Sequence, residues 1–452
     1  MNQDREDGGM AQARSDRGAP TVPVTPITAE RYVSPDYMMQ EREKLWAKVW
    51  LLAGLEQDVA EPGDYFVFDL APESIVVSRS DDGELGAFYN ACQHRGARIL
   101  LSERGWLEQY TCPYHGWTYA NDGRLVHVPE EESFSRGVPR DRLSLKPLRV
   151  EAWAGAVWVC MDPDAPTLDE FLGPIKALVD PFRPEAMRLI EDQTVRLDCN
   201  WKAVYDNFGE LYHVEHIHPQ HQLIFDCPTA TVDLWDFGHT RVCIDGFTVN
   251  TRLAIPDEVP PTQWAQLEAL GMNKDDYKGR VLDVRRDVQI KKREMAPVLG
   301  YNYDRLSDEQ LSDIVQYNIF PNAILVLMPD DYMILRARPH ATDPNRCYWD
   351  KLSLRMEPDD SAQTTGVNIS FSREQAQGAG ARPERDEFPY QDIVEGRKTM
   401  TITQDQDISL IRDIQKGMQS RGFSEAWLND DESRVQHYHT WIDRYMNAQP
   451  AG

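Results

Sequence analysis

The spacing of apolar residues changes twice along the chain. Residues 1–27 are polar, rich in Gly, Ser, Asp and Arg, and show no periodicity, which predicts a disordered tail. Residues 28–50 carry apolar side chains at helical spacing and are predicted to form an amphipathic helix. The apolar residues that carry this spacing are Tyr37, Met38, Leu45, Trp46 and Val49.

Two further segments complete the predicted organisation. Residues 51–165 consist of short apolar runs bounded by Gly, Pro and Asp, which predicts an all-β domain. Residues 166–452 mix strand-like and helical patterns, and the charged stretch 256–315 resembles a lid inserted into that second domain. The second domain is predicted to contain strands within residues 186–255 and 318–356 and near 366–372, an exposed loop over 375–386, and closing helices over 390–419 and 432–448. The expected fold class is therefore α+β.

Charge and cysteine content narrow the classes of function. Lys and Arg number 48 against 74 Asp and Glu, a net charge of −26 that argues against nucleic-acid and anionic-membrane partners. No apolar run approaches the roughly 18 residues that span a bilayer, and the polar N-terminus does not resemble a signal peptide. The seven cysteines are too sparse for a disulfide framework. We expect a cytoplasmic protein.

The first candidate metal site lies in the predicted β domain. Cys92-x-His94 is followed after seventeen residues by Cys112-x-x-His115, so each of two arms carries one thiol and one imidazole. A structural zinc site is one interpretation. The mixed arms favour a [2Fe–2S] cluster of the Rieske type, in which one iron takes both Cys and the other takes both His. Gly96 and Gly116 would let backbone N–H groups approach such a cluster, and Tyr114 and Trp117 would exclude water.

The second candidate site lies around residues 210–218. On an ideal helix, Glu210, His213 and His216 would share one face because they are three residues apart. His213 and His218 are five residues apart, or about 140° around a helix, so both can bind one ion only if the helix loosens or ends there. Pro219 makes such an ending plausible.

Two histidines would need a carboxylate to form the facial triad of a non-heme Fe(II) oxygenase. A predicted helix near the C-terminus offers Asp405, Asp407 and Asp413. The spacing alone does not choose among the three.

Taken together, the two sites resemble those of the Rieske non-heme iron oxygenases, in particular the large (alpha) catalytic subunit of aromatic-ring-hydroxylating systems. The family's cluster motif is similar to Cys92-x-His94 with Cys112-x-x-His115-Gly-Trp. Its iron motif is similar to the segment from Asn200-Trp201-Lys202 through His218-Pro219. The resemblance implies an all-β Rieske domain inserted before a catalytic domain of helices and antiparallel sheet, of the helix-grip or START-like type. The N-terminal helix would belong to the catalytic domain.

The resemblance also assigns roles that spacing leaves open. It selects His218 over His216, and it selects Asp407 because the family's Asp lies eight residues before a Gln-x-Gly turn, here Gln415-Lys416-Gly417; Asp405 is the alternative. It places Asn207 and Glu210 among the catalytic residues, with Glu210 joining a cluster histidine of one subunit to an iron histidine of the next. It implies that His437 and His439, in the last helix, are structural.

The implied activity is oxygenation by a [2Fe–2S] cluster and a mononuclear Fe(II) that activates dioxygen, in a homotrimer with or without a small beta subunit. Electrons would come from a separate reductase or ferredoxin, because the chain has no G-x-G-x-x-G after a strand and no four-Cys ferredoxin run. A small aromatic or alicyclic substrate is expected. The well-known dihydroxylating members carry Asp where this chain has Glu210, so monohydroxylation and N- or O-demethylation are also open. The alternative from another class of function is a non-catalytic zinc or redox-sensing protein.

Overall fold

A computed structural model describes residues 25–298, 301, 303–356 and 382–448. Three predicted segments lie wholly or partly outside these ranges: most of the tail, the strand near 366–372, and residues 375–381 of the loop predicted over 375–386. Within them, none of the helices combines the length and the apolar character needed to cross a bilayer.

The strands follow one another along the chain as β1 Ile27–Thr28, β2 Leu51–Leu55, β3 Asp64–Leu70, β4 Glu73–Arg79, β5 Leu85–Tyr89, β6 Arg104–Trp106, β7 Gln109–Thr111, β8 Thr118–Ala120, β9 Leu125–His127, β10 Arg149–Trp153, β11 Ala156–Cys160, β12 Met187–Leu197, β13 Phe225–Leu234, β14 Thr240–Gly246, β15 Ile314–Ile319, β16 Ala323–Leu327, β17 Asp331–Pro339, β18 Cys347–Met356, β19 Asp386–Pro389 and β20 Glu425–Ala426.

The α-helices are α1 Glu30–Val33, α2 Pro35–Glu41, α3 Leu168–Leu172, α4 Ile175–Val179, α5 Trp201–Asn207, α6 Val214–Ile217, α7 Pro261–Ala269, α8 Val284–Met295, α9 Asp308–Ser312, α10 Tyr390–Val394, α11 Ile402–Met418 and α12 Ser433–Asn447. The mixture of helices and mostly antiparallel sheets confirms the predicted α+β class.

The first half of the chain forms three small antiparallel sheets. Their strand orders are β5-β4-β3-β6, β7-β8-β9 and β10-β11-β2. Cys92 and Cys112 belong to an apolar cluster that packs between the first two sheets and also includes Tyr65, Tyr110 and Tyr119. The candidate cluster site therefore lies within this β region, as the sequence predicts.

The second half is built on one eight-stranded sheet of order β13-β14-β15-β16-β17-β18-β12-β19. Neighbouring strands are antiparallel except β12 and β19, which run parallel. Both faces are covered, and β16 shows how: Ile324 and Val326 join the core that contains α5, α11 and α12, while Leu325 and Leu327 join the opposite core with α3 and α4. This division follows because successive side chains of a strand point to opposite faces of the sheet. Since both faces are covered, β16 is apolar at every position.

The predicted N-terminal helix is interrupted. The structure has α1, a break at Ser34, then α2 and a wider π-helical turn over Arg42–Trp46. Ser34 is extended and its hydroxyl accepts the Tyr37 N–H, because a residue before proline is driven out of the helical region. The apolar positions Leu45, Trp46 and Val49 are buried, as the periodicity predicts.

The predicted disorder of residues 1–27 is wrong at its C-terminal end. Ile27 is 1% exposed and pairs in β1 with Ala426 of β20, nearly four hundred residues away. The apolar residues at this end of the stretch, Val22, Val24 and Ile27, lie among Thr and Pro and form no sustained period, so the sequence does not predict this pairing. Residues 1–24 lie outside the described ranges.

Two other predictions are refined. The charged segment 256–315 contains α7, α8 and α9 and joins β14 to β15, which pair directly; β15 begins already at Ile314. Of these helices, α7 and α8 pack on an apolar cluster that also includes Phe247 and Val249. The helix predicted over 390–419 is divided into α10 and α11, whereas α12 matches the last predicted helix. The lid role of the inserted segment stays a prediction.

Candidate metal centres

The two arms of the first site have the same backbone geometry. In the first arm, Cys92 N–H donates to Ala97 O at 2.8 Å and Gly96 N–H donates to Cys92 O at 2.8 Å. In the second arm, Cys112 N–H donates to Trp117 O at 2.8 Å and Gly116 N–H donates to Cys112 O at 3.1 Å. Each loop thus closes on itself with one glycine at positive φ, +78° at Gly96 and +71° at Gly116, a conformation that favours glycine.

The loops bring their four metal-binding side chains to one place. Cys92 and Cys112 are each 2% exposed. Burial raises the pKa of the Cys92 thiol, and the neighbouring Cys112 thiol adds to that rise, so a bound metal would be needed to hold Cys92 as a thiolate. The rings of His94 and His115 lie 4.6 Å apart, and Nδ1 of His94 is buried without a hydrogen-bond partner in the described part of the chain. An orphaned imidazole nitrogen facing a second imidazole fits a metal ligand.

The spread of these ligand atoms separates the two interpretations of the site. Around a tetrahedral zinc with bonds of about 2.0–2.3 Å, ligand atoms lie about 3.3–3.8 Å from one another. No three of the four side chains meet within 4.8 Å, although another trio in the described residues does. A set of two thiols and two imidazoles that does not gather as closely as the second site fits a two-iron cluster, in which a Cys pair and a His pair would bind different irons.

Two aromatic residues enclose the cluster site. The predicted cover, Trp117, is 3% exposed and stacks on His94 at 4.8 Å with 6° between the ring planes. Tyr114 is 57% exposed, yet its ring centroid lies 3.7 Å from that of His115. Sequence reasoning missed Tyr119, whose hydroxyl lies 3.4 Å from Cys92 Sγ and accepts the Gln93 N–H at 3.0 Å.

The second site begins at the end of α5. Asn200 caps this helix by accepting the Lys202 N–H at 3.0 Å, and its amide donates to Tyr32 O at 3.0 Å. At the other end, the Phe208 carbonyl accepts the side-chain amide of Gln316 on β15 at 2.6 Å. Both ends of α5 are thus held, so the turn that follows it is positioned against the sheet.

A short helix then orients the two histidines. The helix α6 ends at Ile217, and His218 has φ −117° and ψ 59°, outside the helical region. This ending, which the proline at position 219 predicts, turns His218 towards the same point as His213, and their ring centroids lie 5.3 Å apart. His216, which helix spacing alone would choose, is exposed instead.

A carboxylate from α11 completes a trio. Asp407 Oδ1 lies 3.0 Å from His218 Nε2 and 3.7 Å from His213 Nε2. His213, His218 and Asp407 form the group whose ligand atoms all lie within 4.8 Å of one another among the described residues. Asp407 and His218 are each 1% exposed. The trio is the two-His, one-carboxylate arrangement typical of non-heme Fe(II) sites.

The hydrogen bonds around the trio leave the metal-facing atoms free. His213 Nδ1 contacts Glu210 Oε1, and His218 Nδ1 lies 2.7 Å from Gln406 Oε1, so each ring turns its Nε2 towards Asp407. His218 Nε2 and Asp407 Oδ1 are both buried and lie 3.0 Å from each other, and neither has a hydrogen-bond partner outside the trio in the described residues. Partners that fix the ring orientation while Nε2 stays open are what a metal-binding histidine requires.

The other aspartates predicted as candidates lie elsewhere. Asp405 accepts the Met400 N–H at 3.0 Å and the Thr399 hydroxyl at 2.5 Å, while Asp413 lies on the exposed side of α11 beside Lys416 at 3.2 Å. The expected Gln-x-Gly turn is wrong as a turn, because Gln415 lies inside α11; its amide oxygen accepts the Asn200 N–H at 2.9 Å. Gln415 thus ties the helix of Asp407 to the start of α5.

Several predicted residues have supporting positions. Among the described residues, the Glu210 carboxylate bonds to His213, whose Nδ1 it contacts and whose backbone N–H it accepts at 3.1 Å. Asn207 ends α5, and its Nδ2 is buried without a partner in the described chain. His437 Nε2 donates to the Trp235 carbonyl oxygen at 2.7 Å, and His439 Nε2 lies 3.0 Å from Asp206 Oδ1. Gln406 was missed because nothing in a helical pattern marks a residue that orients a distant histidine.

The chain matches two family models. Residues 49–147 match the Rieske [2Fe-2S] domain, and residues 184–448 match the ring hydroxylating alpha subunit (catalytic domain). Together these matches bear out the cofactor prediction of a [2Fe–2S] cluster and a catalytic domain that binds mononuclear iron.

Individual relatives match about half of their own length. The glycine betaine monooxygenase oxygenase subunit of Pseudomonas aeruginosa is 29% identical over 217 residues, 45% of this chain and 50% of that protein. The benzene 1,2-dioxygenase subunit alpha of Pseudomonas putida is 37% identical over 188 residues, 40% of this chain and 42% of that protein. The crystal structure of a quaternary ammonium Rieske monooxygenase in complex with L-carnitine superposes with a TM-score of 0.63 at 18% identity, over 94% of this chain and 96% of that one. The structural likeness concerns the fold.

Proposed function

The chain belongs to the family of ring-hydroxylating alpha subunits with a Rieske [2Fe-2S] domain, and on that premise we propose that it is the oxygenase component of a multicomponent system. Its electrons would originate from NADH or NADPH and arrive through a separate reductase or ferredoxin. The observation that carries this proposal is the trio of His213, His218 and Asp407, with buried, unpartnered donor atoms. An iron bound there would supply the activation of dioxygen beside the substrate.

The residues of the chain have three tasks in this proposal. His213, His218 and Asp407 hold the mononuclear iron, and Cys92, Cys112, His94 and His115 hold the cluster. Glu210 and Gln406 orient the two iron histidines by contacting their Nδ1 atoms. Asn207, at the end of α5, contributes a buried side-chain amide that has no hydrogen-bond partner in the described residues. A carboxylate or amide that fixes the tautomer of a ligating imidazole supports both metal affinity and activity.

The proposed role of Glu210 extends to a neighbouring subunit. In a homotrimer, its carboxylate would join His213 to a cluster histidine of the next chain and so connect the two iron centres. A carboxylate can accept more hydrogen bonds than the two that His213 uses, because its two oxygens offer about four lone-pair sites. The side chain is 11% exposed, which leaves it within reach of a partner.

Two outcomes of the reaction are candidates. Hydroxylation of a small aromatic or alicyclic compound is supported by the similarity to a benzene dioxygenase. N-demethylation of a quaternary ammonium compound is favoured by Glu210 in place of the Asp of dihydroxylating members, and by the similarity to a glycine betaine monooxygenase. Both use the same iron site, so the distinction depends on what the cavity admits.

Product analysis tests the proposal and separates these outcomes. The purified protein, reconstituted with iron and supplied with NADH and a surrogate reductase, is given labelled dioxygen with a panel of aromatic hydrocarbons, aromatic acids and trimethylammonium compounds. Label in a hydroxylated ring indicates ring oxidation, and formaldehyde release indicates demethylation. A colourless protein without iron and acid-labile sulfide after anaerobic preparation would refute the oxygenase function and favour a zinc protein.

A further inference from the structure

Two cysteines outside the cluster site lie side by side in the core of the catalytic domain. The Sγ atoms of Cys199 and Cys347 are 3.7 Å apart, although the residues lie 148 positions apart in the sequence. Cys199 is 0% exposed and Cys347 is 2% exposed. Neither thiol belongs to the proposed metal sites, so the oxygenase function leaves this contact without a role.

The eight-stranded sheet creates the contact. Strands β12 and β18 are antiparallel, and Leu197, the last residue of β12, lies opposite Cys347, the first residue of β18. Cys199 follows two residues after Leu197, and its side chain joins the same apolar core as Leu197 and Cys347. Pairing of two strands far apart in the chain therefore fixes the two sulfur atoms next to each other.

The separation of the sulfur atoms suits a disulfide. A disulfide bond is about 2.0 Å long, so each sulfur would need to move by less than about 1 Å. A buried cysteine that serves only as a small apolar side chain needs no thiol neighbour. Cys160 is an example, since it is equally buried but directs its thiol at the Asp162 carbonyl oxygen at 3.7 Å.

Exposed residues flank both cysteines in the chain. Asp198 precedes Cys199, and Arg346 precedes Cys347, so a molecule as small as hydrogen peroxide needs only a local opening to reach a thiol. Burial raises the pKa of Cys199 well above its usual range, and the Cys347 thiol adds to that rise. Because the thiolate is the reactive form, we expect oxidation over minutes to hours.

We propose that Cys199 and Cys347 form a disulfide when the protein meets hydrogen peroxide. One thiol attacks the peroxide, which breaks the O–O bond, forms an S–O bond and releases water. The second thiol attacks the resulting sulfenic acid, which forms the S–S bond, breaks the S–O bond and releases a second water. The two sulfur atoms lose two electrons to the peroxide, and both thiol protons leave in water. This chemistry is independent of the proposed oxygenase function.

The bond would join two segments that support the iron site. Cys199 directly precedes Asn200, whose N–H donates to Gln415 of α11 at 2.9 Å and whose side-chain amide donates to the Pro344 carbonyl oxygen at 2.8 Å. A crosslink between residues 148 positions apart restricts the unfolded chain more than the folded one. We expect the oxidised protein to unfold at a temperature about 5 °C or more above that of the reduced protein.

Peptide mapping of the protein loaded with iron and cluster tests the proposal. Millimolar hydrogen peroxide is added, the cluster absorbance is followed, and the treatment ends before that absorbance decreases, so that Cys92 and Cys112 stay bound. Free thiols are then alkylated and the protein is digested with trypsin without reductant. Trypsin releases the two cysteines in the peptides 197–202 and 347–351. We expect these peptides to be joined, with their summed mass less two hydrogen atoms, and to separate on reduction.

Three variants make the result specific. Cys199→Ala and Cys347→Ala should each abolish the joined peptides and the thermal shift, whereas Cys160→Ala should keep both. Absence of the joined peptides, a sulfinic acid on Cys199 in their place, or joined peptides that appear only among random pairings of an unfolded chain would overturn the proposal. Joined peptides without a thermal shift would confirm the bond and exclude its stabilising effect. If a variant fails to fold, the map of the wild-type protein decides by itself.

Discussion

The two metal centres are built in opposite ways. The cluster site takes its ligands from two loops less than 25 residues apart, and each loop is closed by hydrogen bonds within itself. The proposed iron site would take two ligands from the segment after α5 and the third from α11, nearly two hundred residues further on. Its donor atoms are deeply buried, and their orientation depends on Glu210 and Gln406.

This difference shows which part of each site a local sequence can encode. A loop that closes on itself keeps its ligands in place through its own turn geometry. The iron site exists only when α11 packs against α5, and Gln415 of α11 bonds directly to the N–H of Asn200 at the start of α5. Mutations should therefore affect the two centres independently.

The largest expected effect comes from removing the carboxylate of the iron site. Asp407→Ala should abolish turnover and lower the iron content by about one atom per chain, because a two-His site without its carboxylate binds Fe(II) poorly. The visible spectrum of the cluster should be unchanged. Metal analysis and absorbance measure both quantities.

Asp405→Ala is the matched control, because Asp405 lies two residues away on the same helix and bonds to Thr399 and Met400. It should retain the iron. Loss of iron in the Asp405 variant but not in the Asp407 variant would exchange their assignments.

Glu210→Gln tests the connection between the two centres. The amide removes the charge that faces His213 Nδ1 while keeping the shape of the side chain. We expect both metals to stay bound, since the ligands are unchanged, but turnover to fall by about ten- to a hundredfold. Single-turnover oxidation of the reduced cluster should slow by a similar factor. Normal turnover in this variant would exclude a role for Glu210 in linking the centres.

Acidification should lower the stability of the catalytic domain through His239. This residue is 1% exposed, and burial lowers its pKa to about 3. Its stabilising contribution is therefore complete above pH 6.5, the pKa of the unfolded chain, and decreases as the pH falls towards 3, because only the unfolded state then binds the proton. Between pH 6.5 and 4.5 the free energy of unfolding should fall by about 2–3 kcal/mol from this group.

The variant His239→Gln should flatten that part of the pH profile, as measured by denaturant unfolding at each pH. His127, which is exposed on β9 of the cluster region, offers the control His127→Gln, for which no change is expected. An unchanged acid slope in the His239 variant would contradict the assignment.

The smallest effect distinguishes the two cluster loops from each other. A Cβ at Gly116 would lie 3.2 Å from Pro129 Cγ, whereas a Cβ at Gly96 would meet nothing within 4 Å. Both glycines have positive φ, so alanine at either position should cost about 1–2 kcal/mol. We expect Gly116→Ala to be the more destabilising, as measured by thermal loss of the cluster absorbance. Equal effects would show that the contact with Pro129 relaxes without cost.

Much of the candidate site is readable from the sequence because it depends on local chemistry. The Cys and His spacing of the arms, the proline that ends the helix before His218, and the apolar strands follow from short-range rules. The choice of Asp407 over Asp405 and Asp413 came from family resemblance, and the structure adds a geometric reason: only Asp407 faces the histidines from α11. No periodic pattern distinguishes these three aspartates in advance.

Tertiary structure alone decided the contacts between segments far apart in the chain. Ile27 pairs with a strand near the C-terminus, and Gln406 of α11 orients His218. The physical reason is that the sequence determines which residues favour a helix, a strand, a turn or a metal. Packing of distant apolar faces determines which of those residues meet, and that packing depends on the whole chain at once.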